Sequence, residues 1–308
     1  MHVNKLHPIF AAEIIGADLT QPASPALIDL VEATMDEYGV TCIRGPVISD
    51  AQHLTFARSF GPLELPGPYI ADAPRRMAYG LYDASNLDIN GEIIERESLR
   101  AKFAKGNELF HSDSSFNDMP SKWSMLRGVI VPPERGDTHF VDLRHVYDEL
   151  PQAMKERIAP LVAEHSFAAS RIKGGVDPQE AERIRSIMPG ARQPMVKISP
   201  SGRKCLFVGS HAYRVEGMDD AAGQALIEEL LAFASQEKFI YAHKWRQGDM
   251  LIWDNRCILH RGTEFDYERY KRDLRRANVN ESGEERSATA APMPMEQAPT
   301  KAAAGQPA

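Results

Sequence analysis

Cysteine is scarce in this chain. Three residues in 308, Cys42, Cys205 and Cys257, stand far apart and show no metal-like spacing. That argues against a cysteine-held metal and against a disulfide scaffold, and fits free thiols in a reducing cytosol. A positive excess is also lacking. Lys+Arg number 36 against 43 Asp+Glu, for a net charge of −7, so no basic field is available for nucleic acid. The first residues, Met1 to Leu6, contain no long apolar run. Neither a signal peptide nor a membrane anchor is expected, and a cytoplasmic location follows. No internal repeat is evident. What is present is a hydrophobic fraction of 43%, enough for a substantial core in one large domain.

Helix signals appear early. Ser24 reads as an N-cap and Pro25 as the first helical residue, with Leu27, Leu30, Val31 and Met35 recurring at helical spacing. Val40-Thr41-Cys42-Ile43-Arg44 reads as a strand stopped by Gly45-Pro46, and Ser49 caps a second helix running to Phe60. Residues 63–110 carry Pro66, Gly67, Pro68, Pro74 and Gly91 with little periodicity, the pattern of a functional lid. Strands are expected around 111–116, 123–131, 138–142, 164–170, 195–198, 204–209, 239–243, 249–253, 257–261 and 272–279. Helices are expected at 144–158, 178–187 and 220–235. From Glu281 to Ala308 the chain is rich in Ala, Pro, Ser, Glu and Gln. Such a segment buries too little surface to offset its ordering entropy, so 281–308 is expected to be a disordered tail behind a domain of residues 1–280.

His111-Ser112-Asp113, with His260 far downstream, is the pattern that carries chemistry. In an extended segment residues i and i+2 share a face. His111 and Asp113 can therefore present an imidazole nitrogen and a carboxylate oxygen to one point, with Ser112 turned away. A second imidazole from a distant strand completes a facial triad with open positions, the ligand set of non-haem Fe(II) oxygenases. Zinc accepts the same ligands and is the rival metal. Asn107-Glu108-Leu109-Phe110 leads into His111, and Ser114-Ser115-Phe116 follows Asp113. Gly248-Asp249-Met250-Leu251-Ile252-Trp253-Asp254-Asn255-Arg256 leads into Cys257-Ile258-Leu259-His260-Arg261-Gly262. Then comes the basic strand Lys271-Arg272-Asp273-Leu274-Arg275-Arg276-Ala277. In this order and spacing, over roughly residues 6–280, these segments resemble the taurine dioxygenase family of 2-oxoglutarate-dependent dioxygenases. The nearer likeness is to its 2,4-dichlorophenoxyacetate dioxygenase branch.

The resemblance implies a mixed α/β fold: a double-stranded β-helix (jelly roll) core with flanking helices and a long lid at about 63–110. It implies Fe(II) on His111, Asp113 and His260, with 2-oxoglutarate bound through its C1 carboxylate and C2 keto oxygen and O2 as the second cosubstrate. Oxidative decarboxylation then gives succinate and CO2 while the substrate is hydroxylated. Related halogenases lack the carboxylate ligand, so Asp113 favours hydroxylation over halogenation. The distal carboxylate of 2-oxoglutarate calls for a cation, and the planar fork of arginine suits it. Arg272 and Arg276 share a strand face but stand roughly 13 Å apart. They cannot hold one carboxylate together, which points to two anionic groups. By resemblance, Arg272 takes the distal carboxylate and Thr138, after Gly136-Asp137, donates its hydroxyl to it. Arg276 sits nearer the metal, for the C1 carboxylate or an anionic substrate. The loop from His260 to Arg272 is one residue longer than the family's usual spacing, which would land on Lys271. Arg272 is preferred because Leu274 and Arg276 share its face.

On the substrate side, His211 lies in Phe207-Val208-Gly209-Ser210-His211-Ala212. It matches a segment whose histidine meets the substrate carboxylate in the aryloxyacetate branch. Ser115 is either a second group facing the cavity or a small residue packing in a strand. Phe116, Tyr69, Ile70, Leu81, Tyr82 and Ile93 are candidate apolar walls. A pocket cationic at the metal end with apolar walls suits a small anionic substrate such as an aryloxyalkanoate. Hydroxylation beside its ether oxygen gives a hemiacetal that collapses to a phenol and a 2-oxo acid. A taurine-like sulfonate is the alternative within the family. A non-catalytic jelly-roll binding protein and a zinc hydrolase are the alternatives outside it, and neither would need Thr138 and Arg272. The family also implies a homo-oligomer, with neither nucleic acid nor membrane as partner.

Overall fold

A computed structural model describes residues 1–66, 76–281 and 283–287. Tyr69, Ile70 and residues 288–308 lie outside the described residues. The strands in chain order are β1 His2–Lys5, β2 Ala12–Ile15, β3 Val40–Ile43, β4 Leu63–Leu65, β5 Tyr82–Asp83, β6 Trp123–Ile130, β7 Thr138–Asp142, β8 Val162–His165 and β9 Ala191–Pro194. They continue with β10 Val196–Ile198, β11 Lys204–Leu206, β12 Ala212–Val215, β13 Ile240–His243, β14 Met250–Asp254, β15 Ile258–Gly262, β16 Asp273–Val279 and β17 Arg286–Ser287. The major sheet runs β1-β2-β3-β14-β6-β16-β4-β17, with β5 also paired to β16. A smaller antiparallel sheet, β13-β7-β15, packs on one face of it, and β12-β8-β9 and β10-β11 extend the second layer. This is a jelly-roll core with helical additions.

Side-chain alternation explains the layering. In β14, Leu251 and Trp253 point into a cluster shared with Phe140, Val141, Tyr241, Ile258 and Leu259 of the smaller sheet. Met250 and Ile252 point to the opposite face, where Met125, Ala277 and Val279 join them. Successive residues of a strand face opposite sides. A strand buried on both sides therefore reads as a continuous apolar run, as Met250 to Trp253 does. The second face is covered by helices Pro25–Tyr38 and Asp50–Arg58, through Leu27, Val31, Met35, Leu54 and Phe56. The first helix starts as its sequence dictates: the Ser24 side chain accepts from the Leu27 N–H, Pro25 follows, and Gly39 ends it in a left-handed conformation at φ 68°. The second opens with a capping box between Ser49 and Gln52.

Several expected elements differ. The 111–116 strand is only a bridge at His111, followed by a turn over Asp113–Phe116 with Ser114 at φ 55°. The 164–170 strand stops at His165; Ser166 then caps helix Phe167–Lys173, accepting from the Ala169 N–H. The 144–158 helix is two helices, Leu143–Glu149 and Gln152–Ile158, separated at Pro151, which restricts Leu150 to extended backbone. Within the expected tail, Arg286–Ser287 pairs in parallel with β4, and Glu285 and Glu281 pair with Arg58 and Arg256. Among the described residues no helix is long and apolar enough to cross a membrane.

Candidate active site

Main-chain pairing brings the first two site residues together. His111 and His260 exchange both backbone hydrogen bonds, at 3.0 and 2.8 Å, in an antiparallel bridge beside β15. Their rings lie 4.2 Å apart. The turn that follows carries the Asp113 carboxylate towards both imidazoles. His111 Nε2 is 3.9 Å from Oδ1, and His260 Nε2 is 3.6 Å from Oδ2. One ligand atom from each residue lies within 4.8 Å of the other two. These gaps are too long for direct hydrogen bonds and suit atoms converging on one ion.

The protonation states fit the same purpose. His111 Nδ1 is 2.7 Å from the Leu109 carbonyl. It must donate there, which leaves Nε2 bare as a ligand. Burial pushes His111 down to about 4 and His260 well below the usual imidazole value, so both are neutral. Burial alone would raise Asp113, but Arg276, then His260 and His111, pull it down to about 2. Two neutral imidazoles and a carboxylate are the donors a divalent cation requires. The carboxylate is also oriented from behind. Ser124 Oγ donates to Oδ2 at 2.7 Å, and Asn255 accepts the Asp113 N–H at 3.2 Å while its amide donates to Ser124 at 2.9 Å. Cys42, His243 and Asp249 form a second converging group. There Asp249 is already held by Arg44 at 3.0 Å and His243 at 2.9 Å, an internal ion-pair network rather than a cation site.

Arg272, half-buried, lays its guanidinium beside the start of β7. Its Nη2 and Nη1 reach only the Gly136 and Ala84 carbonyls, at 3.4 and 3.5 Å, and Nε has no partner. Burial lowers it to about 10. Thr138 Oγ1 accepts from Trp245 Nε1 at 3.0 Å, so its own proton is available to donate. Lys271, by contrast, is at the surface on Glu92, 3.1 Å away. Arg276 is elsewhere: Nη1 donates to Asp113 Oδ1 at 2.5 Å, the guanidinium lies 5.1 Å from the Tyr82 ring centroid, and Nε has no partner.

His211 is buried beside the triad, its ring 5.5 Å from that of His111. Ser115 sits between His211 and His165, with Oγ 2.9 Å from Nδ1 of the first and 3.2 Å from Nδ1 of the second. A single hydroxyl proton can serve only one of them. His165 Nε2 is buried without a partner. A bare acceptor is tolerated there better than an N–H, so His165 carries its proton on Nδ1 and donates to Ser115. Ser115 then donates to His211 Nδ1, and His211 presents an Nε2–H. Phe116 stands 5.0 Å from the His211 ring and 5.1 Å from Phe167. Leu81 instead packs in the outer core, so it is no pocket wall, while Ile93, half-buried, pairs with Leu87 in an isolated bridge.

Residues 2–278 match the family described as taurine catabolism dioxygenase TauD, TfdA family. The chain belongs to that family. The α-ketoglutarate-dependent 2,4-dichlorophenoxyacetate dioxygenase of Cupriavidus pinatubonensis is 42% identical over 279 residues, covering 90% of this chain and 96% of the relative. The (S)-phenoxypropionate/α-ketoglutarate-dioxygenase of Sphingobium herbicidovorans is 32% identical, over 85% of this chain and 88% of the relative. The crystal structure of AAD-2 in complex with Mn(II) and N-oxalylglycine superposes with a TM-score of 0.82 at 35% identity, over 91% of this chain and 97% of that one. As a TauD/TfdA-family dioxygenase, the chain has a His111–Asp113–His260 donor set that fits Fe(II), and an Arg272 guanidinium with no carboxylate partner among the described residues. Sequence reading missed Ser124, Asn255 and His165. Asn255 follows Asp254 within a segment that carried the resemblance; the other two have no local signal, because their roles arise from burial beside residues distant in the chain.

Proposed function

We propose that this dioxygenase hydroxylates a small aryloxyalkanoate beside its ether oxygen, releasing a phenol and a 2-oxo acid. The observation that carries the reading is a buried, converging two-imidazole, one-carboxylate triad with Arg276 against its carboxylate, and an Arg272 guanidinium with no carboxylate partner among the described residues. Fe(II) with 2-oxoglutarate and O2 supplies the oxidising chemistry, with succinate and CO2 as coproducts. The protein's own part is placement. His111, Asp113 and His260 would hold the metal; Ser124 and Asn255 keep the Asp113 carboxylate turned to it. Arg272 and Thr138 would clamp the distal carboxylate of 2-oxoglutarate. Arg276 lies against Asp113 and His211 beside His111, where each could donate to a substrate carboxylate, and Ser115 fixes which nitrogen of His211 donates. The rings of Phe116 and Phe167 next to His211 suit an aryl group better than a taurine-like sulfonate. The relatives that act on 2,4-dichlorophenoxyacetate and (S)-phenoxypropionate support the same choice.

Succinate formation screened over aryloxyacetates, aryloxypropionates and sulfonates tests the reading. Turnover greatest with an aryloxyalkanoate is expected. Turnover confined to sulfonates would replace the substrate class, and none with any of them would refute it. The reading includes a homo-oligomer, which light scattering after gel filtration checks.

A further inference from the structure

Arg171 is a buried cation with no role in the account above. It lies near the end of helix Phe167–Lys173 and is 4% exposed. Its guanidinium stacks on the Phe167 ring, 4.2 Å from the centroid. Gly106 approaches so closely that a Cβ there would come within 2.4 Å of Nη1 and 2.8 Å of Cζ. Only glycine leaves the group its place, and the orientation of its plane is fixed.

The donors divide unequally. Nη1 and Nη2 both reach Asn107 Oδ1 at 3.1 Å, and Nη1 also donates to the Phe103 carbonyl. Nε is buried with no partner, and Nη2 makes one bond, to Asn107, among the described residues, which leaves its second N–H unused. Those two parallel N–H groups are the edge of a guanidinium that takes a carboxylate in two bonds. Among the described residues no Asp or Glu forms an ion pair with Arg171. The charges that act on it are those of the active site. Burial and then Arg276 push it down, to about 9, and Asp113 opposes them. Arg171 in turn lowers His111 and His211. Asp113 is the protein anion acting on Arg171, and its carboxylate already takes Arg276 and faces both imidazoles, which leaves the Arg171 charge buried without an ion-pair partner among the described residues. That is costly unless a ligand brings negative charge.

We infer that Arg171 is a substrate-binding residue, its free Nε–Nη2 edge receiving the carboxylate of the anionic substrate alongside Arg276. The inference rests on the proposed reading of an anionic substrate and adds a residue to its recognition. Phe167, on the same helix, lies 5.1 Å from Phe116 and 6.3 Å from His211. One short helix would thus supply both a head-group cation and part of the aromatic wall.

The test is calorimetric titration of phenoxyacetate and of phenoxyacetamide into wild type, Arg171→Gln and Arg171→Lys. Each protein carries iron(II) and 2-oxoglutarate under argon, so that no turnover occurs. Wild type should prefer the acid. Arg171→Gln should weaken acid binding by about 30-fold or more and amide binding by no more than about threefold. Arg171→Lys, which keeps the charge but not the fork, should fall between. An unchanged acid-to-amide ratio in Arg171→Gln overturns the inference, because an anchor for Phe103 and Asn107 alone would affect both ligands equally. If Arg171→Gln does not fold, the same ratio in Arg171→Lys decides. If wild type binds a sulfonate or sulfate ester but no aryloxyacetate, the substrate class fails and Arg171 is judged on that anion against its neutral analogue. If wild type binds no anion, both fall.

Discussion

Arg272 and Lys271 are neighbours in sequence with different surroundings: one half-buried on two carbonyls with no carboxylate partner among the described residues, the other 40% exposed on Glu92. Arg272→Ala should raise the KM for 2-oxoglutarate by roughly 30-fold or more, since a buried charge-assisted contact is worth on the order of 2–5 kcal/mol. Lys271→Ala should change it less than about threefold, because an exposed pair contributes little. Steady-state kinetics with varied 2-oxoglutarate separates the two, and the reverse ranking would move the site by one residue. Ser115 gives a second expectation. Ser115→Ala removes the donor that holds His211 in its Nε2–H form, so substrate KM should rise while the KM for 2-oxoglutarate stays put. Nitrogen-15 spectra of the histidines should show His211 losing its single tautomer in this variant. Spectra with His211 protonated on Nδ1 in wild type would contradict the chain from His165. The convergence of His111, Asp113 and His260 was legible because two imidazoles and a carboxylate at that spacing serve one chemistry. Ser115 was read only as a group facing the cavity or packing in a strand, and Arg171 not at all: nothing in Ser170-Arg171-Ile172 marks an arginine whose neighbours, Phe103, Gly106 and Asn107, belong to another segment.

At the level of elements, legibility followed local signals. The helix over Pro178–Ile187 and the strand over Thr138–Asp142 match their expected bounds, the first marked by an Asp177 cap with Pro178 and the second by the Gly136 turn. The first half of helix Phe167–Lys173, as far as Ser170, was read as strand. Seven residues are too few to declare helical periodicity, and what holds them is packing of Ala168 against Ala181, Ile184 and Met188. The C-terminal boundary yields a further prediction. Truncation after Ser287 should leave melting temperature and activity unchanged. Truncation after Asn280 removes the β17 pairing with β4 and the partners of Arg58 and Arg256, and should cost about 1 kcal/mol, since half-exposed ion pairs contribute little each. Urea unfolding of both forms checks this. Equal stability would mean that residues 281–287 add nothing to the sheet edge.

Across the whole molecule, buried histidines tie stability to pH. Burial lowers His53 and His165 to about 3 and His111 to about 4, and puts His211 and His260 well below the usual value. In the unfolded chain a histidine titrates near ~6.5. Below that pH the unfolded state binds protons that the native state refuses, so metal-free protein should lose stability as pH falls from about 6.5 towards 4. The slope is up to ~1.4 kcal/mol per pH unit for each such histidine. Urea midpoints should fall modestly from pH 7.5 to 6.5, where half of the unfolded-state imidazoles are already protonated, and more steeply from 6.5 to 5.5; a flat series would mean that these side chains are not buried neutral. The account as a whole stands on the coupling of 2-oxoglutarate consumption to cleavage of an anionic aryl ether. The measurement that tests it most directly is the amount of phenol and of succinate formed from phenoxyacetate by the iron-loaded enzyme in air, with and without 2-oxoglutarate, in wild type and Asp113→Ala. Phenol and succinate in near-equal amounts, neither without 2-oxoglutarate and neither in the variant, is the predicted result. Phenol released without 2-oxoglutarate, or undiminished in Asp113→Ala, would contradict it.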